Sequence, residues 1–176
     1  LTIVNVPRRL TTTEWGGTET VLVETSRQLL AAGHRVLIYT TRALCGEPRG
    51  EVFGVPVRRF RYSYTRLGLS RENALLLDRR GGNMFSLCFL RALRRALTSG
   101  GADIVHLHTL GRISGTVRML CRLLGKPYVV TVHGGYRDIP QAQMDAILAP
   151  TKGTLNWGKP LDYLLGCLLY TSPSPR

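Results

Sequence analysis

The fold is decided by residues 2–40, which read TIVNVPRRLTTTEWGGTETVLVETSRQLLAAGHRVLIYT. Thr2 to Val6 is a short, mostly β-branched run and predicts a buried strand. Apolar residues then recur at helical spacing from Thr18, a predicted N-cap, to Gly33, which is placed to close the helix as a C′ glycine. A second apolar strand is predicted over residues 34–40. This order of strand, Gly-Gly loop, helix and strand predicts a right-handed βαβ unit with parallel strands.

Strands and helices continue to alternate in the second half of the chain. The pattern predicts an amphipathic helix over residues 84–97, a strand over 104–108, a helix over about 115–124 and an apolar strand over 128–132. Alternating elements with nearly continuous apolar strands predict an α/β domain, a Rossmann-like parallel sheet with helices on both faces.

Three other stretches carry weaker signals. Residues 42–56 are rich in glycine and proline and predict a loop. Residues 57–62 predict a third strand, and their three arginines restrict it to an edge or rim of the sheet. No element is predicted over residues 63–83, and the periodicity over 138–166 is weak.

The composition excludes several classes of protein. The chain has 176 residues, of which 44% are hydrophobic, so it is globular rather than disordered. No apolar run is long enough to span a bilayer, and the first residues do not resemble a secretory signal. The four cysteines match no zinc pattern, which favours reduced thiols in a cytoplasmic protein.

The charge is strongly basic, because 24 Lys and Arg residues face 11 Asp and Glu residues, for a net +13. Nucleic acid, an anionic membrane surface and an anionic substrate are three partners that fit such an excess. The basic residues are spread over many elements and no nucleic-acid motif occurs, which argues against a nucleic-acid partner. A basic α/β nucleic-acid-binding module is therefore kept only as the alternative interpretation of the function. Residues 90–97 fit an anionic lipid surface, but packing of their apolar face on the sheet with solvated arginines is the favoured interpretation.

Open parallel sheets bind ligands at the carboxyl ends of their strands, and two candidate loops fall there. Gly16 and Gly17, followed by Thr18, lie between the first strand and the first helix. Paired glycines allow close approach of a phosphate to the backbone, although a simple tight turn explains them equally well. His133, Gly134 and Gly135 follow the last apolar strand, where the histidine either contacts a ligand or caps a turn.

His106 and His108 form a third candidate. Alternation along the predicted strand puts both imidazoles on one face. Two imidazoles in this position would supply half of the ligands of a metal site. No further ligand is evident, so structural polar histidines are the favoured interpretation. The chain also lacks G-x-G-x-x-G, a P-loop and a D-x-D carboxylate pair.

The chain carries four motifs in order, which are Trp15–Glu19, Gly33–His34, Asp103–His108 and Pro127–Gly135. Together they resemble family 4-type glycosyltransferases over residues 1–166. Family members have the GT-B architecture, in which two Rossmann-like domains face each other across a cleft, and the resemblance lies in the N-terminal, acceptor-side domain. Residues 78–83 and 156–159 resemble features of one bacterial subgroup of the family.

The resemblance implies a hexosyltransferase that moves a sugar from a nucleotide-sugar to a glycan, lipid or small-molecule acceptor. It implies retained anomeric configuration and no essential metal or other cofactor. His133 is then the catalytic histidine of the cleft, which reaches the donor sugar. The implied donor- and acceptor-binding residues are Gly16, Gly17, Thr18, His108, Gly134 and Gly135.

The same resemblance implies that part of the enzyme lies elsewhere. The family's donor-binding residues, including two glutamates seven residues apart, belong to a C-terminal domain, so the chain alone is predicted to be inactive. Residues 167–176 do not follow the family pattern. They resemble a translated sequencing adapter and are predicted to be non-native, with a genuine Ser/Pro-rich tail as the alternative. The expected location is the cytoplasm, with peripheral contact at the inner face of the cell membrane.

Overall fold

The computed structural model describes residues 1–133 and 140–160. The strands are Thr2–Val6 (β1), Arg35–Thr41 (β2), Arg49–Val52 (β3), Val55–Phe60 (β4), Ser63–Tyr64 (β5), Arg66–Leu67 (β6), Met84–Phe85 (β7), Ile104–Leu107 (β8), Tyr128–Val130 (β9) and Leu155–Asn156 (β10). The helices are Gly17–Ala31 (α1), Arg71–Arg80 (α2), Leu87–Thr98 (α3), Arg112–Leu123 (α4) and Gln141–Leu148 (α5), the last followed by a 3-10 turn over Ala149–Thr151.

Six strands form the central sheet in the order β3-β4-β2-β1-β8-β9. Every pair is parallel except β3 with β4, and β1 lies between β2 and β8, so Ile3 is flanked by Val36 and Ile104. The predicted α/β class, with a mainly parallel sheet flanked by helices, is confirmed. The carboxyl ends of β1, β8 and β9 therefore lie side by side.

The core lies in two layers, one on each face of the sheet. Val36 and Ile38 of β2 pack with Leu22 of α1, whereas Tyr39 packs with Phe89 of α3 and Val117 of α4 on the other face. Neighbouring residues of one strand thus serve opposite layers, which is why the central strands are apolar throughout.

The helix α1 ends as the sequence predicts but begins earlier. Gly33 has a φ of +80°, and the amides of Gly33 and His34 bond back to Leu30 and Leu29 in a glycine-type C-terminal cap. The prediction of Thr18 as the N-cap is wrong, because Gly16 is the N-cap and its carbonyl already accepts the Thr20 amide at 3.1 Å. Thr18 lies inside the first turn.

The predicted loop over residues 42–56 is wrong in its second half. Strands β3 and β4 form a hairpin whose two turn residues, Phe53 and Gly54, both have positive φ (+48° and +82°). The glycine and proline signals therefore mark a hairpin turn rather than a long loop. The predicted strand over 57–62 exists as β4, but it is not at the edge, because β3 covers it. Arg59 is accordingly only 7% exposed.

Residues 63–83 contain structure that the sequence did not predict. Helix α2 begins after Ser70, whose Oγ accepts the Asn73 amide at 3.1 Å. The helix is short and only Leu77 and Asp78 are buried, so its sequence carries no clear apolar periodicity. The preceding Ser63–Tyr64 pairs with Met84–Phe85, so the predicted helix over 84–97 starts at Leu87 instead.

The arginine-rich helix α3 packs its apolar face against the protein core and leaves its arginines in solvent, as the favoured interpretation of the sequence predicts. Phe89, Leu93 and Leu97 are buried in the core, while Arg91, Arg94 and Arg95 are exposed. Within residues 1–133 and 140–160, no helix is both long and apolar enough to cross a membrane. Residues 167–176, including Cys167, lie outside the described residues.

Candidate active site

A cleft of about 400 Å³ lies where the carboxyl ends of the central strands meet the first turn of α1. Its wall includes Arg8, which follows β1, and Thr18 from α1. His108 and His133 line it from the segments that follow β8 and β9. Arg80 and Gly81 enter from the end of α2, so this missed helix supplies one side of the cleft. The position is the one at which open parallel sheets bind ligands.

Three histidines form a column beside this cleft. The rings of His106 and His108 lie 3.9 Å apart, which confirms that both imidazoles share one face of the strand. His108 Nδ1 and His133 Nε2 are hydrogen-bonded at 3.1 Å, and His106 Nε2 is hydrogen-bonded to Thr131 Oγ1 at 2.7 Å. Because β9 runs parallel to β8 in register, Thr131 and His133 come beside the two strand histidines.

Burial keeps His106 and His108 neutral. Desolvation, followed by the neighbouring imidazoles, lowers the pKa of His108 to about 3 and also lowers the pKa of His106. A neutral imidazole has one donor and one acceptor nitrogen. His108 uses Nδ1 for His133, and its buried Nε2 has no hydrogen-bond partner among the described residues.

Metal binding has no support in the geometry of these groups. In the described part of the chain, no cluster of three or more His, Cys, Asp or Glu residues could hold a metal ion. The histidines bond to each other and to Thr131 instead. Cys45, Cys88 and Cys121 are free thiols in the same part, and burial raises the pKa of the Cys121 thiol to about 11.

The Gly-Gly loop forms the start of α1 at the cleft. Gly16 is extended, and a Cβ built on Gly17 would meet nothing within 4 Å, so this turn is open. Thr18 and Glu19 of the first turn line the cleft, and the amides of a first helical turn have no partners inside the helix. Gly134 and Gly135, the other predicted glycine pair, lie outside the described residues.

Several basic residues of the cleft were missed by the sequence reasoning. Arg8, Arg9 and Arg80 all line it. Arg9 forms an ion pair with Glu14 at 2.7 Å, and Arg80 Nη1 donates to the Ala146 carbonyl at 2.8 Å. The available signal was their position, because Arg8 and Arg9 lie within three residues of the carboxyl end of a buried strand.

The two subgroup-like motifs, residues 78–83 and 156–159, meet at one buried arginine. Arg112 is 3% exposed and donates to Thr65 Oγ1, to the Asn83 carbonyl and to Asn156 Oδ1. Gly158 leaves no room for a side chain against Thr65 and Arg112. These contacts hold the end of α2, the start of α4 and strand β10 together, which fixes the position of Arg80 and Gly81 at the cleft.

The chain matches a known protein family. A family model described as a glycosyl transferase 4-like domain matches residues 16–161, which is more than half of the chain and includes Gly16, His108 and His133. No curated protein matches the sequence.

Proposed function

The chain belongs to the glycosyl transferase 4-like domain family, and on that premise we propose that it is the acceptor-side domain of a retaining GT-B glycosyltransferase. The enzyme transfers a hexose from a nucleotide-sugar to a hydroxyl of a glycan, lipid or small-molecule acceptor, and it needs no metal. The observation that carries this proposal is the meeting of His133, His108 and the start of α1 at one cleft. The nucleic-acid alternative has no comparable support.

His133 is the proposed catalytic residue. Its Nε2 is hydrogen-bonded to a histidine that burial keeps neutral, so its orientation is fixed and Nδ1 is left for the substrate. Nδ1 of His133 accepts a hydrogen bond from a sugar hydroxyl, which holds the donor sugar in position for the reaction. His108 thereby positions His133 as well as lining the site.

The start of α1 is the proposed site of the donor's diphosphate. The amides of Gly17 and Thr18 belong to the first turn, and a helix N-terminus favours a negative charge. A nucleoside diphosphate leaves during transfer, so donors at this position stabilise the charge of the leaving group. Because Gly17 is open on its side-chain face, the phosphate oxygens have close access to the backbone. Gly134 and Gly135 complete the site in this proposal.

The remaining donor-binding residues, including two glutamates seven residues apart, belong in this proposal to a second domain of the same enzyme. We expect the 176-residue chain alone to give no turnover, because the cleft then has only one of its two walls.

Peripheral contact with an anionic membrane at its cytoplasmic face is a further part of this proposal. Arg91, Arg94 and Arg95 are exposed on α3, whereas its apolar side is buried, so the contact is electrostatic. Sedimentation with anionic liposomes is expected to fall when all three arginines are changed to serine. Unchanged sedimentation would remove α3 from the proposal.

The catalytic assignment is tested by His133→Ala in the full-length enzyme. Loss of a hydrogen-bonding imidazole at the reacting sugar is expected to lower kcat by about 100-fold or more, measured by consumption of the nucleotide-sugar. His34→Ala is the matched control, because His34 precedes β2 and so lies at the opposite end of the sheet. Turnover of His133→Ala at the wild-type rate contradicts the assignment.

A further inference from the structure

Among the arginines that line the cleft in the described part of the chain, Arg8 has a buried guanidinium nitrogen without a hydrogen-bond partner. It lies two residues after the end of β1 and lines the cleft, and its Nη2 donates to the backbone carbonyl of Asp78 at 2.9 Å. Its Nη1 is buried and has no hydrogen-bond partner among the described residues. Within residues 1–133 and 140–160, Arg8 also forms no ion pair, since the three ion pairs found there involve Arg9, Arg27 and Arg79.

The acidic residue beside Arg8 is occupied by other donors. Both carboxylate oxygens of Asp78 accept tyrosine hydroxyls, from Tyr62 at 2.5 Å and from Tyr64 at 2.7 Å. Asp78 is 6% exposed, so this arrangement is closed to solvent. The carboxylate takes no hydrogen bond from Arg8, and among the described residues the guanidinium has no hydrogen-bonded counter-charge. The carboxylates of Asp78 and Glu19 act on it electrostatically without a hydrogen bond.

The packing around Asp78 holds Arg8 in place. Gly82 is buried, and a Cβ at this position would lie 2.5 Å from Tyr64 Cε1 and 2.9 Å from the Tyr64 hydroxyl oxygen. The Tyr64 ring thus occupies the space that a side chain at residue 82 would need. The contact at Gly82 restricts the Tyr64 ring, and the Tyr64 hydroxyl helps to hold the Asp78 side chain. The Asp78 carbonyl in turn holds Nη2 of Arg8 by a hydrogen bond.

An unpaired buried guanidinium is costly, and an anion removes that cost. Burial, followed by the neighbouring charge of Arg9, lowers the pKa of Arg8. A phosphate or carboxylate in the cleft beside Arg8 would bring an additional counter-charge to the guanidinium and an acceptor for its unpartnered nitrogen.

We propose that Arg8 binds an anionic group of the acceptor, a phosphate or a carboxylate, and so selects acceptors that carry such a group. Naming the acceptor as its source rests on the proposed function, whereas the anion subsite itself does not. The donor's diphosphate has a separate place at the amides of α1, while Arg8 is bonded to α2. The two anionic groups are therefore held by different elements of the cleft.

The test is a binding titration of the 176-residue chain with inorganic phosphate, acetate and inorganic diphosphate. Wild-type protein is expected to bind phosphate or acetate about tenfold or more tightly than Arg8→Met, which keeps the aliphatic stem and removes the charge. Arg35→Met is the matched control, because Arg35 is exposed at the start of β2, at the opposite end of the sheet, and it is expected to bind as the wild type does. Absence of binding to wild-type protein, or equal binding by Arg8→Met, overturns the proposal.

A second measurement does not depend on the stability of a variant. The side-chain ¹⁵N signals of Arg8 in wild-type protein are expected to shift during the phosphate titration, and shifts elsewhere without a shift of Arg8 overturn the proposal. Diphosphate that binds at Arg8 at least tenfold more tightly than phosphate assigns the position to the donor and also overturns it. These readouts require no sugar transfer, so a failed transfer assay refutes the proposed function without altering them.

Discussion

Substitution of Gly82 by alanine tests the packing that supports the cleft. The new Cβ would lie 2.5 Å from Tyr64 Cε1 and 2.8 Å from Leu77 Cβ. Carbon atoms prefer separations of about 3.5–4.0 Å, so the neighbours must move by about 1 Å. Leu77 is 3% exposed and has no free space to enter, which leaves the Tyr64 ring as the group to be displaced.

The expected loss of stability follows from these two constraints. Overpacking a filled site costs about 1–3 kcal/mol. If the ring moves instead, the hydrogen bond from the Tyr64 hydroxyl to the Asp78 carboxylate is lost, and a bond to a charged group contributes about 1.5–3 kcal/mol. The two responses together predict a decrease of about 1–3 kcal/mol in the free energy of unfolding, and an unfolding midpoint lower by roughly 2–12 °C.

Urea denaturation and thermal melting, both followed by circular dichroism, measure this loss. Gly46→Ala is the matched control, because a Cβ there would meet nothing within 4 Å, and it is expected to change stability little. In a Tyr64→Ala background the ring is gone, so Gly82→Ala is expected to cost much less than in the wild type. An unchanged unfolding free energy for Gly82→Ala, or an equal cost in both backgrounds, refutes the reasoning.

Two further predictions concern titratable groups. His108 has a folded pKa of about 3 and an unfolded pKa of about 6.5, so only the unfolded chain gains a proton between these values. The contribution of His108 to the free energy of unfolding is fully present above pH 6.5, and it falls below that pH by at most about 1.4 kcal/mol per pH unit. Denaturation curves of His108→Gln are expected to depend less on pH, and the same pH dependence as in the wild type contradicts this. Cys121 is buried with a raised pKa, so iodoacetamide is expected to alkylate the exposed Cys88 first, as followed by mass spectrometry. Equal alkylation rates of Cys88 and Cys121 contradict the burial of Cys121.

Local patterns were sufficient to predict the centre of the sheet. Apolar runs and the closing Gly33 define β1, α1 and β2, and alternation along β8 places His106 and His108 on one face. The hairpin of β3 and β4 was missed because Phe53, a residue that rarely adopts positive φ, occupies its turn. The short, mostly polar α2 was missed because its stability comes from contacts made elsewhere in the chain.

The cleft could be predicted only where its residues follow predicted strands. His108 and His133 follow β8 and β9, so topology alone brings them together. The role of Arg8 depends on Asp78, which lies 70 residues away in an unpredicted helix. Similarly, Arg112 joins two motifs whose partners, Asn83 and Asn156, are distant in sequence. Such contacts are properties of the packed fold, and no local pattern encodes them.

The measurement that tests the central claim most directly is an NMR assay of sugar transfer by the full-length enzyme, with a panel of nucleotide-sugars. The account predicts transfer with the anomeric configuration of the donor retained in the product, and no turnover by the 176-residue chain alone. A product of inverted configuration, turnover by the isolated chain, or no transfer from any nucleotide-sugar would contradict the account.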